Sequence, residues 1–397
     1  MALNLNIVEN LAGNPVGGER QGFRESHWVS GGADLDLDKL VGWSNTKLHI
    51  QGAWFTGENL ARDVVGNSIS FQQTWRPVSG PRLTQFNIEH DFGRLNVTVG
   101  RMALNSYFNN SPLNCNFMTN ASCLTTYGPI SDIGITAYPN SSWGARAKYK
   151  VGAHGYVEAG AFEYNNDLNL KGKDGLDFSL GKGSGWLIAG EIGHMTTFKD
   201  ERLPHNYKVG FYLNTDGGSS PYYNAQGESY TATGTAAKKL GGNRVGIYGL
   251  VDQTVSRAAG NSKRNLALFA RAYWNVGNIQ QIDWFASAGL VKTGTFIGRD
   301  EDTIDFLVSN THFSDQEIDH LRDVRAKAGG TGSPHADEIV GEINYGFAAM
   351  PGLRIMPNVQ WVLNPDPVYA PKSTKNVPST VVLGLRIDLK FEKFFGA

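Results

Sequence analysis

Phe269, Arg271 and Tyr273 occupy alternate positions of RNLALFARAYW, opposite Leu266, Leu268 and Ala270. A guanidinium set between two aromatic rings can hydrogen-bond through its fixed fork of donors and stack a small polar solute on a flat face. Similar polar faces recur along the chain at Lys47, at Gln85, Asn87 and Glu89, and at Arg146 and Lys148. Others carry Glu158, Glu342 and Arg354, each opposite an apolar face. Arg101 is the exception, because it shares parity with the apolar Leu95, Val97 and Val99. Reaction chemistry has no comparable signal. There is no HExxH, no Cys/His pair at zinc spacing, no GxSxG and no phosphate loop. DLDLD at 34–38 begins like a calcium loop, but Lys39 stands at the required glycine and Asn45 at the final glutamate. RDEDTID at 299–305 reads as a solvated acidic turn. The expectation is a binding wall with no catalytic residue, no metal and no cofactor.

The elements that must position such a wall are strands, because a strand turns successive side chains to opposite faces. VVLGLRIDLKF near the end of the chain puts Val381, Leu383, Leu385, Ile387, Leu389 and Phe391 on one side, with Arg386, Asp388 and Lys390 on the other. KLHIQGAWF, NYKVGFYLN, DEIVGEINYGF and several further segments of about ten residues repeat the pattern, a length suited to tilted membrane strands. Short turns at 91–94, 150–155 and 349–352 alternate with long polar connections at 58–80, 103–141, 165–184, 215–242, 314–336 and 364–379. Sorting loops by length between two ends is the habit of outer-membrane barrels, and a soluble sandwich has no reason for it. About fifteen strands can be placed, and even numbers prevail in such barrels, so sixteen are expected. The remaining strand is expected near the N-terminus or around 67–75. Ser314 and Glu317 form a capping box that starts a helix, with Gly329 as its stop.

Composition narrows the class further. Lys+Arg total 36 and Asp+Glu 37, which argues against a nucleic-acid partner. No apolar run reaches the roughly 18 residues of a membrane helix. The opening MALNLNIVENLAGN has no signal-peptide pattern, so either the numbering starts on a mature chain with an added Met or the protein is not exported. The two cysteines, Cys115 and Cys123, suit either a short loop staple or two unrelated thiols. The expected organisation is an N-terminal periplasmic or lumen segment over 1–24 followed by a transmembrane antiparallel β-barrel over 25–397. Its charged strand Arg386–Asp388–Lys390 is expected to face water near the periplasmic mouth.

An ordered set of stretches then resembles one family. GADLDLDKLVGW, RLTQFNIEHDFGRLNVTVGRM, ITAYPNSSWGARAKYKV, VGIYGLVDQTV and RNLALFARAYW are followed by SAGLVKTGTFIGRDEDTIDF, EIVGEINYGF, PNVQWVLNPDP and VVLGLRIDLKF. Together they are similar to the carbohydrate-selective porins, the OprB-like family, over residues 30 to 391. The resemblance implies an all-β, sixteen-stranded barrel of the bacterial outer membrane that passes glucose and similar sugars passively, with a long loop folded inward as a constriction. The segment 103–141 is the candidate for that loop, and a Cys115–Cys123 bridge would stiffen it. Sugar contacts are expected among Arg271, Arg146, Glu89, Asn87, Lys47, Phe269, Tyr273, Arg354 and Glu342, the alternative for each being a solvated wall charge. Expected partners are outer-membrane lipid and mono- or oligosaccharides. An apolar belt is equally compatible with a homo-oligomer. A barrel enzyme, a non-selective porin and a soluble carbohydrate-binding module are the rival readings.

Overall fold

A computed structural model describes the chain except residues 1, 78, 123–127, 170–171, 180–184, 261–262, 371–372 and 395–397. The strands are β1 (Ala2–Val16), β2 (Gly22–Asp36), β3 (Thr46–Gly57), β4 (Gly80–Phe92), β5 (Leu95–Met102), β6 (Ser142–Val151), β7 (Gly155–Tyr164) and β8 (Gly185–Met195). They continue as β9 (His205–Asn214), β10 (Arg244–Arg257), β11 (Asn265–Asn275), β12 (Ile282–Thr293), β13 (Thr303–Phe313), β14 (Asp337–Met350), β15 (Leu353–Leu363) and β16 (Thr380–Lys390). Each pairs antiparallel with its neighbours in sequence, and β1 pairs with β16 to close a sixteen-stranded barrel. Closure leaves no unpaired edge, as a sheet immersed in lipid requires.

One expectation about the chain's first half is corrected here. The segment 1–24 is not a free periplasmic or lumen piece, since Ala2–Val16 is a barrel strand registered with both β2 and β16. Of the two places expected for the remaining strand, the N-terminus holds it, and 67–75 is irregular chain buried inside the barrel, with Phe71 fully covered.

Connections on one end are short. The turns at 93–94 and 351–352 need a left-handed residue, and Gly93 and Gly352 supply it with φ of 83° and 82°. On the other end lie the long loops 58–79, 103–141, 165–184, 215–243, 314–336 and 364–379. By the usual orientation of such barrels the long loops are extracellular and both termini periplasmic. The expected helix is present. Three short helices, α1 (Leu37–Val41), α2 (Tyr230–Thr233) and α3 (Asp315–Lys327), sit in the connections. Ser314 caps α3 by accepting from Glu317 N, and Gly329 follows it at φ 83°.

The outward face carries exposed apolar side chains such as Val99, Ile192, Val209, Val251 and Leu383, with Trp54, Trp186 and Trp274 among them. These positions would be costly in water at about 25 cal/mol per Å² and are at home in hydrocarbon. The core lies inside the barrel. Loop 58–79 packs Leu60, Val64, Val65 and Phe71 against Val340, Met356, Val362 and Val382 of the wall. Loop 103–141 packs Leu104, Phe108, Ile133 and Ile135 against Phe162, Leu187, Tyr212, Tyr248, Tyr273 and Phe285.

Candidate functional site

A loop drawn into the lumen brings backbone N–H and C=O groups away from bulk water, and each must find a partner. Inward polar side chains of the wall provide them. Glu342 on β14 accepts from Met118 N at 2.8 and 3.0 Å and from Thr119 N at 2.7 Å, with Asn344 Nδ2 completing its shell at 3.0 Å. Glu191 on β8 accepts from Asn109 N at 2.7 Å and from the hydroxyls of Tyr156 and Tyr248. Lys208 donates to Asn110 O at 2.8 Å, Arg244 to Asp132 O at 2.8 Å, and Asn214 to Ile133 O at 2.8 Å. Asp252 accepts from Ser111 Oγ at 2.6 Å. Arg271 donates to Ser122 O at 3.2 Å. Arg386 donates to Phe117 O at 3.0 Å and to Gln73 Oε1 at 2.7 Å, joining both inward loops.

The opposite arc, from β2 to β6, is left uncovered. Its inward Asp34, Lys47, His49, Gln51, Gln85, Glu89 and Lys148 all keep solvent exposure. His49 bridges Asp34 at 2.6 Å and Glu89 at 3.7 Å. Arg146 grips Glu158 through Nε at 2.9 Å and Nη2 at 2.6 Å, and reaches Asn96 at 3.2 Å. Its guanidinium lies 4.9 Å from the ring centre of Tyr107, whose hydroxyl accepts from Gln85 and Asn87 at 3.4 Å each. Tyr107 comes from the 103–141 loop, and burial raises its pKa, so the hydroxyl stays protonated.

Nearby, Trp28 stacks on Phe55 at 5.8 Å, and Tyr138 meets the pair at 5.5 and 6.0 Å. Arg76 of the 58–79 loop lies 5.6 Å from the Phe55 ring centre and donates to Tyr138 O at 3.3 Å. Burial pulls its pKa down to about 10, which leaves it charged at neutral pH. Two inward loops thus bring Tyr107, Tyr138 and Arg76 against the β2–β6 arc, beside its cations, carboxylates and aromatic rings.

The sequence-predicted residues divide between these two arcs. Arg146, Asn87, Glu89 and Lys47 belong to the β2–β6 arc, although Arg146 is buried against Glu158 and Asn87 is buried and spent on Tyr107 and Arg101 O. Arg271, Phe269, Tyr273 and Glu342 are buried under the 103–141 loop rather than lining open water. Phe269 there meets Phe117 at 5.6 Å. Arg354 lies apart from the loop's tip, held by Thr303 and by Asp305 at 3.6 Å. Arg386 meets the loop's tip, not the periplasmic mouth as parity and position suggested. Arg101 keeps its outward parity opposite Phe86 and Trp143, yet it is buried, because the Asp177 carbonyl and the Phe178 ring cover it from the 165–184 loop. Cys115 is disulfide-bonded, while Cys123 lies outside the described residues. Trp28, Arg76, Tyr107 and Tyr138 were not anticipated.

Known proteins resemble this chain over most of its length. A family model described as the carbohydrate-selective porin, OprB family, matches residues 20–391. Porin B of Pseudomonas aeruginosa is 28% identical over 374 residues, covering 91% of this chain and 80% of that protein. The high-pH structure of Pseudomonas putida OprB superposes with a TM-score of 0.88 at 27% identity, covering 98% of this chain and 94% of that one. The anion-selective porin from Comamonas acidovorans, at 10% identity and a TM-score of 0.51 over 98% of this chain and 99% of that one, shares the fold alone. The likeness therefore holds in sequence as well as in shape. The chain belongs to the carbohydrate-selective porin family: it is a passive, sugar-preferring channel of the bacterial outer membrane and not an enzyme.

Proposed function

We propose that sugar crosses along the β2–β6 arc, between Arg146, Glu89, Lys47 and Tyr107 on one side and Trp28, Tyr138 and Arg76 on the other. The observation that carries this reading is the division of the lumen, since this arc keeps inward Asp34, Lys47, His49, Gln85 and Glu89 accessible, with aromatic rings of the inward loops beside it. A sugar presents hydroxyls at its rim and weakly apolar ring faces. Arg146 and Glu89 replace water around the rim, while Tyr107 or Trp28 accepts a face. Every contact is individually weak, which lets the solute leave again. The other six candidates are not equal in this reading. Arg271, Phe269, Tyr273 and Glu342 act by holding the loop, and Arg354 acts by bracing Asp305. Lipid covers the outward apolar belt, and the disulfide at Cys115 stiffens the 103–141 loop.

Liposome swelling tests the pathway. Wild-type protein is expected to admit glucose faster than amino acids of similar mass. Tyr107→Ala and Arg146→Ala should each erase most of that preference. Equal rates for all solutes through the wild type, or a preference untouched by both substitutions, would sink the pathway.

A further inference from the structure

The strand parity that builds the lipid belt also brings two histidines together at the periplasmic rim. Outward positions of β8 include Trp186, Ile188, Ile192 and His194, and those of β9 include Val209, Tyr207 and His205. The register pairs His194 with Tyr207, one outward step from His205. The two imidazoles therefore meet, with 2.7 Å between His194 Nδ1 and His205 Nε2 and their planes 6° apart. The ring of Tyr207 lies 4.5 Å from that of His205.

The turn from β8 to β9, residues 196–204, is folded to hold one of these rings. Thr197 N and Oγ1 donate to Asp200 at 2.7 and 2.8 Å, and Asp200 N and Glu201 N donate back to Thr197 O at 3.0 and 3.1 Å. This tight coil sets the Glu201 carboxylate against His205, with 2.8 Å between Oε1 and Nδ1. Thr196 Oγ1 donates to the same carboxylate and, with His205, holds its pKa below the usual value. Glu201 is thus an anion that only accepts, so His205 Nδ1 carries the proton. In the neutral ring Nε2 then presents its lone pair towards His194. A carboxylate that fixes the tautomer of an imidazole in this way is a recurrent support of metal-binding histidines. His194 is exposed, and Thr197, Lys199, Asp200 and Arg202 of the turn are exposed polar residues, so water reaches the pair.

We propose that His194 Nδ1 and His205 Nε2 bind a divalent transition ion of the Zn2+, Ni2+ and Cu2+ class. Imidazole suits these ions, whereas Mg2+ and Ca2+ prefer oxygen. Among the described residues no three His, Cys, Asp or Glu side chains stand ready to hold one ion, so this is a site of two nitrogen donors completed by water. At metal–nitrogen distances of about 2.0–2.1 Å the two nitrogens sit roughly 2.9–3.4 Å apart. From 2.7 Å the rings have to tilt and part only slightly, which an exposed rim permits. The ion replaces the hydrogen between the rings: the His194 proton moves from Nδ1 to Nε2, and a neutral pair releases none. Bound there, the ion clamps both ends of the 196–204 turn. Sugar passage plays no part in this inference, so it stands or falls apart from the pathway above.

Tag-free protein, stripped with a chelator and titrated with ZnCl2 by calorimetry, reads the site. Heat-modifiable gel migration checks that each variant is a folded barrel. Wild type is expected to take up one ion per barrel from ZnCl2 and none from MgCl2. H194N/H205N should abolish uptake, and E201Q, which leaves both nitrogens in place, should weaken it about tenfold. Cu2+ bound in place of Zn2+ should show nitrogen splitting from two imidazoles in its electron paramagnetic resonance spectrum. Zn2+ should also raise the unfolding temperature of wild type and leave that of H194N/H205N unmoved. A folded wild type without saturable Zn2+ uptake overturns the proposal. So does uptake, or nitrogen splitting, that survives in H194N/H205N. Uptake undiminished in E201Q overturns the role given to Glu201.

Discussion

The two sides of the lumen are built from the same strand pattern and do opposite work. From β7 round to β16, inward Glu191, Asp252, Arg271, Glu342 and Arg386 are buried and consumed by the inward loops, Asp252 by the Ser111 hydroxyl and the others by backbone groups. From β2 to β6, inward Asp34, Lys47, His49, Gln85 and Glu89 remain in contact with water. A carboxylate that accepts several backbone N–H groups has no acceptor capacity left for a passing hydroxyl. One in a solvated cluster with His49 has. Charge on an inward strand position is thus no guide to solute contact. What matters is whether a loop lies between that charge and the pore.

The largest effect should come from breaking the anchoring side. Glu342→Ala removes the acceptor for Met118 N and Thr119 N and leaves two buried donors unpaired, at about 1–3 kcal/mol each. The tip of the 103–141 loop should leave the wall, raising single-channel conductance severalfold and abolishing discrimination among solutes. Glu342→Gln keeps a neutral acceptor and should fall between the two. Wild-type conductance in Glu342→Ala would dissolve the contrast between the two arcs.

Substitution on the open side should act differently. Arg146→Ala leaves the loop in place but strands the buried Glu158 carboxylate beside the pore. Sugar permeation is expected to fall roughly tenfold, about 1.4 kcal/mol in the barrier, while total conductance stays close to wild type and cations gain preference over anions. Reversal potentials under a salt gradient separate this from a widened pore. A conductance increase like that of Glu342→Ala would mean that Arg146 also holds the loop.

The division just described was only half legible in the sequence. Alternation exposed the lipid belt because most strands keep their outward face free of charge, as Val381 to Leu389 do on β16. It failed at β1, where Glu9 interrupts Leu3, Leu5, Ile7 and Leu11 and where Gly13 and Pro15 blur the remainder. It failed at β2 for the same reason, with Glu25 and His27 on the outward face, and so Trp28 could not be assigned a side. Parity did place Arg271 and Glu342 inward. It carries no information on what lies above them, and the Glu342–Met118 contact joins residues 224 positions apart. Tyr107 and Tyr138 lie in irregular loop chain with no period to read.

A milder perturbation is available at the extracellular mouth, where α3 packs over the lumen. Burial and the neighbouring Asp366 push the Glu317 carboxyl up to about 7. Asp132 and Tyr230 also face it, and Gln281 is its hydrogen-bond partner at 3.5 Å. An acid held above its usual 4.5 favours the protonated fold. Its stabilisation is complete below pH about 4.5, declines as the pH rises and is gone above about 7, with a ceiling of about 3 kcal/mol. Protease cleavage within 314–336 should therefore increase between pH 5 and pH 8 in the wild type and lose this dependence in Glu317→Gln. Conductance should change less than in either variant above, because α3 caps the mouth and does not hold the 103–141 tip. A cleavage profile unchanged by Glu317→Gln would remove this carboxyl from the account.

The smallest effect on the pore should come from the covalent link. A disulfide generally stabilises by about 2–4 kcal/mol, largely by restricting the unfolded chain, so Cys115→Ser should lower the unfolding temperature. Pore width is a separate matter. Beside Cys115, Asn116 O accepts from Asn344 at 3.0 Å and Phe117 O from Gln73 at 2.6 Å. Met118 and Thr119 are held by Glu342, and Ser122 O by Arg271. Wall side chains thus fix this stretch of loop whether or not the sulfur is bonded. Single-channel conductance of Cys115→Ser should stay at the wild-type value while its thermal unfolding moves. If instead the conductance rises as far as in Glu342→Ala, the tip is held by sulfur and not by the wall, and the anchoring side loses its defining role.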